Sequence, residues 1–254
     1  MGRQGAAQLL RPQDFQVVEL RRYTMVEGGR EPFARYFESY FPEAFQQLGA
    51  LMLGNFFERR NPLVFSWLRG FKDLDARGAI CGAFYHGPVW KEHRQKINDL
   101  VVDSENVLLL RPLSPARGVL VLPAVDPVRE EPAARGVAVA QIYPLRAESV
   151  DAFVQQAEPH FAAYRAAGAR EAGVLVTLDA VNNFPQHPIR SDGPFLVWLG
   201  LLENEGSLEN DFCPLAERAA QSLAAGALLR GEPELVILDP APRSRLRWCP
   251  ARRS

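Results

Sequence analysis

Read by hydrophobic periodicity, this chain passes through the same order of elements twice, and an internal repeat limits its possible folds more than any single motif. In the first half, Phe15 to Tyr23 alternates as a strand does. After Gly28-Gly29, the residues Phe33, Tyr36, Phe37, Tyr40, Phe41, Ala44, Phe45 and Leu48 recur at three- and four-residue steps and predict an amphipathic helix. Pro42 inside it should kink or split the helix, and Gly49 stands where a C-cap belongs. Leu51 to Phe57 and Val64 to Phe71 read as strands joined by an Asn61-Pro62 turn. Asp73 is placed to cap a helix reaching Tyr85, a second helical piece runs from Trp90 to Leu100, and Asn106 to Arg111 closes the half as a strand. The order is β-α-β-β-α-β.

The second half repeats that order. Val137 to Tyr143 is a strand, and Ser149 is placed to cap a helix with Val150, Phe153, Val154, Phe161 and Tyr164 on one face. Strands follow at Val174 to Leu178 and Phe195 to Leu202 around a Pro- and Asn-containing loop, then a helical stretch over Leu208 to Leu229 and a strand at Glu234 to Leu238. Tyr23 recurs as Tyr143, Pro42 as Pro159, Trp67 as Trp198 and Leu108-Leu109-Leu110-Arg111-Pro112 as Val236-Ile237-Leu238-Asp239-Pro240, in one order and at similar offsets. Residues 113–135 have linker composition, with Pro115, Pro123, Pro127 and Pro132, and Val119 to Leu122 is apolar enough for one short strand. The expected domains are therefore 1–112 and 136–254 around that linker.

A βαββαβ unit makes a four-stranded antiparallel sheet with both helices on one face, the ferredoxin-like arrangement, and leaves the other face bare. Two bare faces cover each other. The expected class is α+β, a tandem ferredoxin-like chain that forms a dimeric α/β barrel within one molecule, with the cavity between sheets and helices as its ligand site.

Bulk properties narrow the function. A net charge of -1 provides no electrostatic footprint for nucleic acid. No apolar run approaches the ~18 residues needed to span a bilayer. Three cysteines without C-x-x-C spacing fit a reducing compartment, so a cytoplasmic location is expected. Met1-Gly2 opens like a myristoylation signal, but Ala6 stands where Ser or Thr is wanted. The arginines of the tail, Arg243, Arg245, Arg247, Arg252 and Arg253, read as a solvated end.

Strand alternation puts Glu19, Arg21 and Tyr23 on one face of the first strand, and Phe65, Trp67, Arg69 and Phe71 on one face of its expected neighbour. An arginine between aromatics on a central strand needs an anionic partner. Glu19 is one such partner and a ligand carboxylate is another. In the second half Val139, Gln141 and Gly200 stand where Glu19, Arg21 and Arg69 do. A functional pocket therefore belongs in the barrel cavity of the first half, unless Glu19 and Arg69 are simply a structural pair.

Four segments carry a family resemblance: Glu19-Leu20-Arg21-Arg22-Tyr23, Phe65-Ser66-Trp67-Leu68-Arg69-Gly70-Phe71, Phe84 to Arg94 (FYHGPVWKEHR) and Asp103 to Pro112 (DSENVLLLRP). In this order and spacing the first half resembles the NIPSNAP family. The resemblance implies a dimeric α/β-barrel fold shared with small oxygenases, haem-degrading enzymes and decarboxylases. It does not imply a reaction, and the mitochondrial association of animal relatives is not carried over.

The site residues expected from this reading are Arg69, Trp67, Arg21, Glu19, Phe71 and Trp90 for a ligand, with His93 or Tyr23 moving protons. His93 can equally be a packed structural histidine, and Asp103 either orients Arg69 or His93 or ends a helix. His86, His160 and His187 read as unpaired, H-E-x-x-H is absent, and no metal site or cofactor is expected. Nor is there a G-x-S-x-G elbow, P-loop or G-x-G-x-x-G. Two functions remain: a cofactor-independent small-molecule enzyme of oxygenase, isomerase or lyase type, or a non-catalytic ligand-binding or scaffold protein, with haem binding a weaker third. A small-molecule ligand and a homodimer are the partners expected, with neither nucleic acid nor membrane.

Overall fold

The computed structural model describes residues 11–131 and 135–249. Met1-Gly2, Ala6, Pro132, Arg252 and Arg253 lie outside them. The chain order is β1 (Val17–Met25), α1 (Arg30–Leu48), β2 (Leu51–Glu58), β3 (Val64–Phe71), α2 (Leu74–Tyr85), α3 (Pro88–Asn98) and β4 (Val101–Pro112). The second half follows with β5 (Val137–Pro144), α4 (Val150–Ala166), β6 (Arg170–Thr177), β7 (Phe195–Leu202), a π-helical turn (Ser207–Phe212) running into α5 (Cys213–Ala224), and β8 (Glu234–Pro240). Val119 to Leu122 forms no strand. It lies beside β6, with the Leu120 amide donating to the Ala172 carbonyl.

All eight strands close into one antiparallel barrel in the order β1-β3-β2-β8-β5-β7-β6-β4. Each half contributes four adjacent strands, and two short ladders seal them. Phe56, Phe57 and Glu58 of β2 pair with β8, and Leu110, Arg111 and Pro112 of β4 pair with β6.

Alternation decides what fills this barrel. The even residues of β1 and β3, Val18, Leu20 and Leu68, point inward, where they join Leu53, Phe56, Leu108, Leu110, Ala140, Val197, Leu199 and Leu238 in one apolar core drawn from both halves. The odd residues therefore face outward, under the helices. The first-half charged row is accordingly not in the barrel cavity, as expected from sequence, but in the layer between sheet and helices.

Local chemistry accounts for two of the helix ends. Asp73 accepts the Ala76 amide at 2.7 Å, and Gly49 ends α1 with φ of 101°. Ser149 makes no capping bond; its hydroxyl donates instead to the Arg146 carbonyl at 2.6 Å. Pro42 does not split α1. The carbonyl it leaves without a helical donor, that of Glu38, accepts from the Arg243 guanidinium.

That contact belongs to a tail that is packed against the fold, not a solvated end. Residues 241–249 run along the barrel end, with the Ala241 and Leu246 amides donating to the Asn55 and Leu53 carbonyls and Leu246 buried in the core. Arg247 is fully buried, forks onto Glu130 at 2.6 Å through two nitrogens, and donates to the carbonyls of Pro123 and Arg245 at 2.9 Å. One arginine thus clasps tail to linker. Removing it unpairs Glu130 and two backbone carbonyls and empties a fully buried side-chain space, so Arg247→Ala should cost about 3 kcal/mol in urea denaturation. A cost under about 1 kcal/mol would mean the tail is not part of the cooperative fold.

Candidate functional site

The site starts from one carboxylate. On the outer face of β1 and β3 the register sets Glu19 opposite Arg69, Arg21 opposite Trp67, and Tyr23 opposite Phe65. Glu19 Oε2 accepts from Arg21 Nη1 at 3.0 Å and from Arg69 Nε and Nη2 at 2.9 and 2.5 Å. Its Oε1 accepts from Arg77 Nε of α2 at 2.6 Å. All four side chains are fully buried. Burial alone would raise the Glu19 pKa, but the charges of Arg69, Arg21 and Arg77 outweigh it and hold the carboxyl well below its ordinary range.

One negative charge thus faces three positive ones in a fully buried space. Aromatic faces offset part of the surplus: the Arg69 guanidinium lies 4.7 to 5.1 Å from the rings of Phe45, Phe71 and Trp67, and that of Arg21 lies 5.2 Å from Tyr23 and 5.4 Å from Trp67. Three buried donors, Arg21 Nη2, Arg77 Nη2 and Trp67 Nε1, have no acceptor among the described residues. Buried donors are rarely left this way.

Beside the cluster is a cavity of about 180 Å³. Tyr23 and Trp67 of the sheet form part of its wall, with Phe33, Phe37, Phe41 and Phe45 of α1, Phe84 and Tyr85 of α2 and Trp90 of α3. Two wall hydroxyls are tied to the arginines: Tyr23 accepts from Arg21 Nε at 2.9 Å and Tyr85 from Arg69 Nη1 at 3.4 Å. Burial pushes the Tyr85 phenol up to about 12, with Arg69 working against it, so it remains protonated near neutrality.

Ile97 and Asn98 of α3 and Val101 and Ser104 of β4 continue the wall, and one further residue comes from the other half. The loop between β6 and β7, residues 178–194, crosses onto α2. Asn182 and Asn183 accept from Arg77 Nη1 at 3.1 and 2.7 Å, and Asn183 donates to the Leu74 carbonyl at 2.5 Å. Gly78 permits this approach, since a Cβ there would sit 2.7 Å from Asn183 Nδ2. The loop delivers His187, whose ring stacks on Tyr85 at 3.8 Å and lines the cavity.

Of the residues singled out from sequence, Glu19, Arg21, Tyr23, Trp67, Arg69, Phe71 and Trp90 come together here. His93 does not. It lies between α3 and α1, its Nδ1 bonded to the Tyr36 hydroxyl at 2.7 Å and its ring stacked on Tyr40 at 3.9 Å. Asp103 is exposed within β4, which begins at Val101 rather than Asn106, and accepts the Glu105 amide instead of orienting Arg69 or His93. Arg77, Tyr85, Asn182, Asn183 and His187 were not foreseen. Only the Asp73 cap and the Pro- and Asn-rich loop hinted at them.

The second half shows what the same frame becomes when these strand positions carry no charge. Val139 pairs with Gly200 and Gln141 with Trp198, at the positions of Glu19 with Arg69 and Arg21 with Trp67. The Trp198 indole lies over Gly200, where a Cβ would meet it at 2.4 Å, and packs against Tyr164 and Phe212. The volume that Arg69 holds in one half is filled by an indole in the other.

Residues 18–116, from β1 to the turn after β4, match the NIPSNAP family. The family match covers the first half and does not extend into the second. No curated protein matches the chain. Among solved structures, an anthrone oxidase-like protein is 12% identical over 93% of this chain and 96% of its own, with a TM-score of 0.59. A candidate monooxygenase from Lactobacillus acidophilus NCFM is 10% identical over 92% and 98%, at 0.56. These neighbours share the fold of both halves. A NIPSNAP-like domain protein from Burkholderia xenovorans is 26% identical over 40% of this chain and 88% of its own, with a TM-score of 0.36. Among the described residues of the NIPSNAP half and its partner half, no helix is long and apolar enough to cross a membrane, and no group of three or more His, Cys, Asp or Glu side chains could hold a metal ion.

Glu19 is the one anion in the NIPSNAP cluster, so Glu19→Gln should cost about 3–5 kcal/mol in urea denaturation by leaving three guanidinium groups facing one another. Arg21→Met, which leaves Glu19 paired with Arg69 and Arg77, should remain folded at a much smaller cost. Equal losses in the two variants would contradict a positively overcharged cluster.

Proposed function

We propose that the cavity under the helices of the NIPSNAP half is the active site of a cofactor-independent enzyme whose substrate is a small aromatic or apolar molecule bearing an acidic oxygen. The observation that carries this reading is the arginine surplus. Evolving a core to bury three guanidinium groups around one carboxylate is costly unless a further anion completes the balance. Trp67 lines the cavity and Arg21 stands opposite it on the neighbouring strand, so their unpartnered N–H groups are the donors we assign to that anion.

The walls specify the rest of the ligand. Rings of Phe37, Phe41, Phe45, Trp67, Tyr85 and Trp90 dominate the wall, with Asn98, Ser104 and His187 among its few polar members. A volume of about 180 Å³ suits a molecule of one or two rings. In such a place the buried positive charge lowers the pKa of a phenol, enol or acidic C–H and stabilises the anion formed from it, which is the shared first demand of isomerase, lyase and oxygenase chemistry on such molecules. The Tyr85 hydroxyl, protonated and bonded to Arg69, is a donor for the developing negative oxygen. The names of the two fold neighbours, an anthrone oxidase-like protein and a candidate monooxygenase, are compatible with this reading, though fold alone does not carry activity.

Calorimetric titration tests it with benzoate and with benzyl alcohol, a neutral molecule of matching size. Benzoate is expected to bind at least about tenfold more tightly, and Arg21→Met to erase most of that preference. Equal affinity for the two, or a benzoate preference untouched by Arg21→Met, would refute the reading.

A further inference from the structure

The loop from the second half brings more than a wall. Asn182 joins two systems with one amide: its Oδ1 accepts from Arg77 Nη1 at 3.1 Å and from the Phe184 amide at 3.1 Å, and its Nδ2 donates to the His187 carbonyl at 2.9 Å. Phe184 then stacks on both His187, at 5.3 Å, and Tyr85, at 5.7 Å. The imidazole is therefore held over the charged cluster by backbone, amide and ring contacts together, although its residue belongs to the half that has lost its own charges.

The ionisable groups around it are few. Glu19 and Arg21 of β1, Arg69 of β3 and Arg77 of α2 act on its charge, and Tyr23 of β1 and Tyr85 of α2 share the cavity wall with it. The residues of α1, α3 and β4 that line the cavity are uncharged. Three of these neighbours are positive and one is negative. Burial first, and then Arg21 and Arg69, push the His187 imidazole down to about 3, so in the free protein it is neutral and a poor base.

An anion at the free N–H groups of Arg21 and Trp67 changes that balance. It cancels part of the charge that opposes imidazolium and places a negative oxygen in the same cavity. We propose that His187, supplied by the diverged half, is the base of the NIPSNAP-half site and gains proton affinity only as the substrate's acidic oxygen arrives. This rests on the function proposed above. The substrate's O–H or acidic C–H bond breaks, its proton forms a new N–H bond on the imidazole, and the electron pair remains on the substrate as an oxyanion or enolate held by Arg21. No oxidant is consumed in this step. The diverged half is then no vestige; it gave up its own pocket and carries the base for the other.

Nuclear magnetic resonance of protein labelled at histidine tests the proposal, with His187→Gln assigning the signal. In the free protein His187 should show no titration above about pH 4.5. Saturating benzoate should raise its midpoint by about two units, and Arg21→Met in the free protein by about one. A His187 midpoint near the ordinary 6.5 in the free protein overturns the proposal. So does benzoate that binds without moving the midpoint, which leaves the anion site itself standing. Failure of benzoate to bind overturns the anion site and this proposal together. Should Arg21→Met not fold, the native protein with and without benzoate decides.

Discussion

The ion cluster around Glu19 joins parts of the chain that share no other chemistry. Its carboxylate receives guanidinium groups from β1, β3 and α2, and through Arg77 the cluster reaches the loop between β6 and β7. A buried ion group of this kind adds little net stability compared with apolar packing, because desolvation consumes most of the Coulombic gain. What it provides is position. It fixes Arg21 and Arg69 behind the aromatic cavity, sets the depth of α2 on the sheet, and gives the second half something to hold. The rest of the layer, from the phenylalanine stripe of α1 to the rings of Tyr85 and Trp90, packs around those fixed charges.

The two halves show how one frame is divided between tasks. Both use the same strand order, both place a tryptophan opposite the middle of the first strand, and both put a tyrosine two residues further on. In one half the tryptophan stands among arginines. In the other it lies over Gly200 and closes the volume. The barrel interior is indifferent to this difference, being apolar in both, so either outer face can change while the sealing ladders hold. That separation of structural inside from chemical outside allows one half to lose a pocket without loss of the fold.

Much of this was legible in the sequence, for reasons that can be named. Strand alternation and the helical stripe are local, so the eight strands, the repeat and the row of Glu19, Arg21, Trp67 and Arg69 could be read directly. Which side of the sheet the row faced could not, since alternation separates two faces without saying which is covered by helices. Arg77 was hidden because a helix arginine reads as solvated until a carboxylate 58 residues away is seen to receive it. His187 was hidden more deeply, because its partners Tyr85 and Asn182 are assembled by a loop from the other half. The tail arginines were misread for a related reason. Composition suggests solvation, whereas Arg243 completes the helix bond broken by Pro42, and Arg247 finds Glu130 in the linker. Of the two readings open for His93, base or packed structural histidine, its contacts with Tyr36 and Tyr40 are those of the second.

On the function proposed here, the overcharged cluster is completed by a ligand anion in the aromatic cavity. The most direct measurement is a crystal structure of the protein with 4-iodobenzoate, located by the anomalous signal of iodine. The account predicts one iodine site among the rings of the α1, α2 and α3 wall, with the carboxylate turned toward Arg21 and Trp67. An iodine site inside the barrel, or a cavity that stays empty while iodobenzoate binds only at the surface, would contradict it.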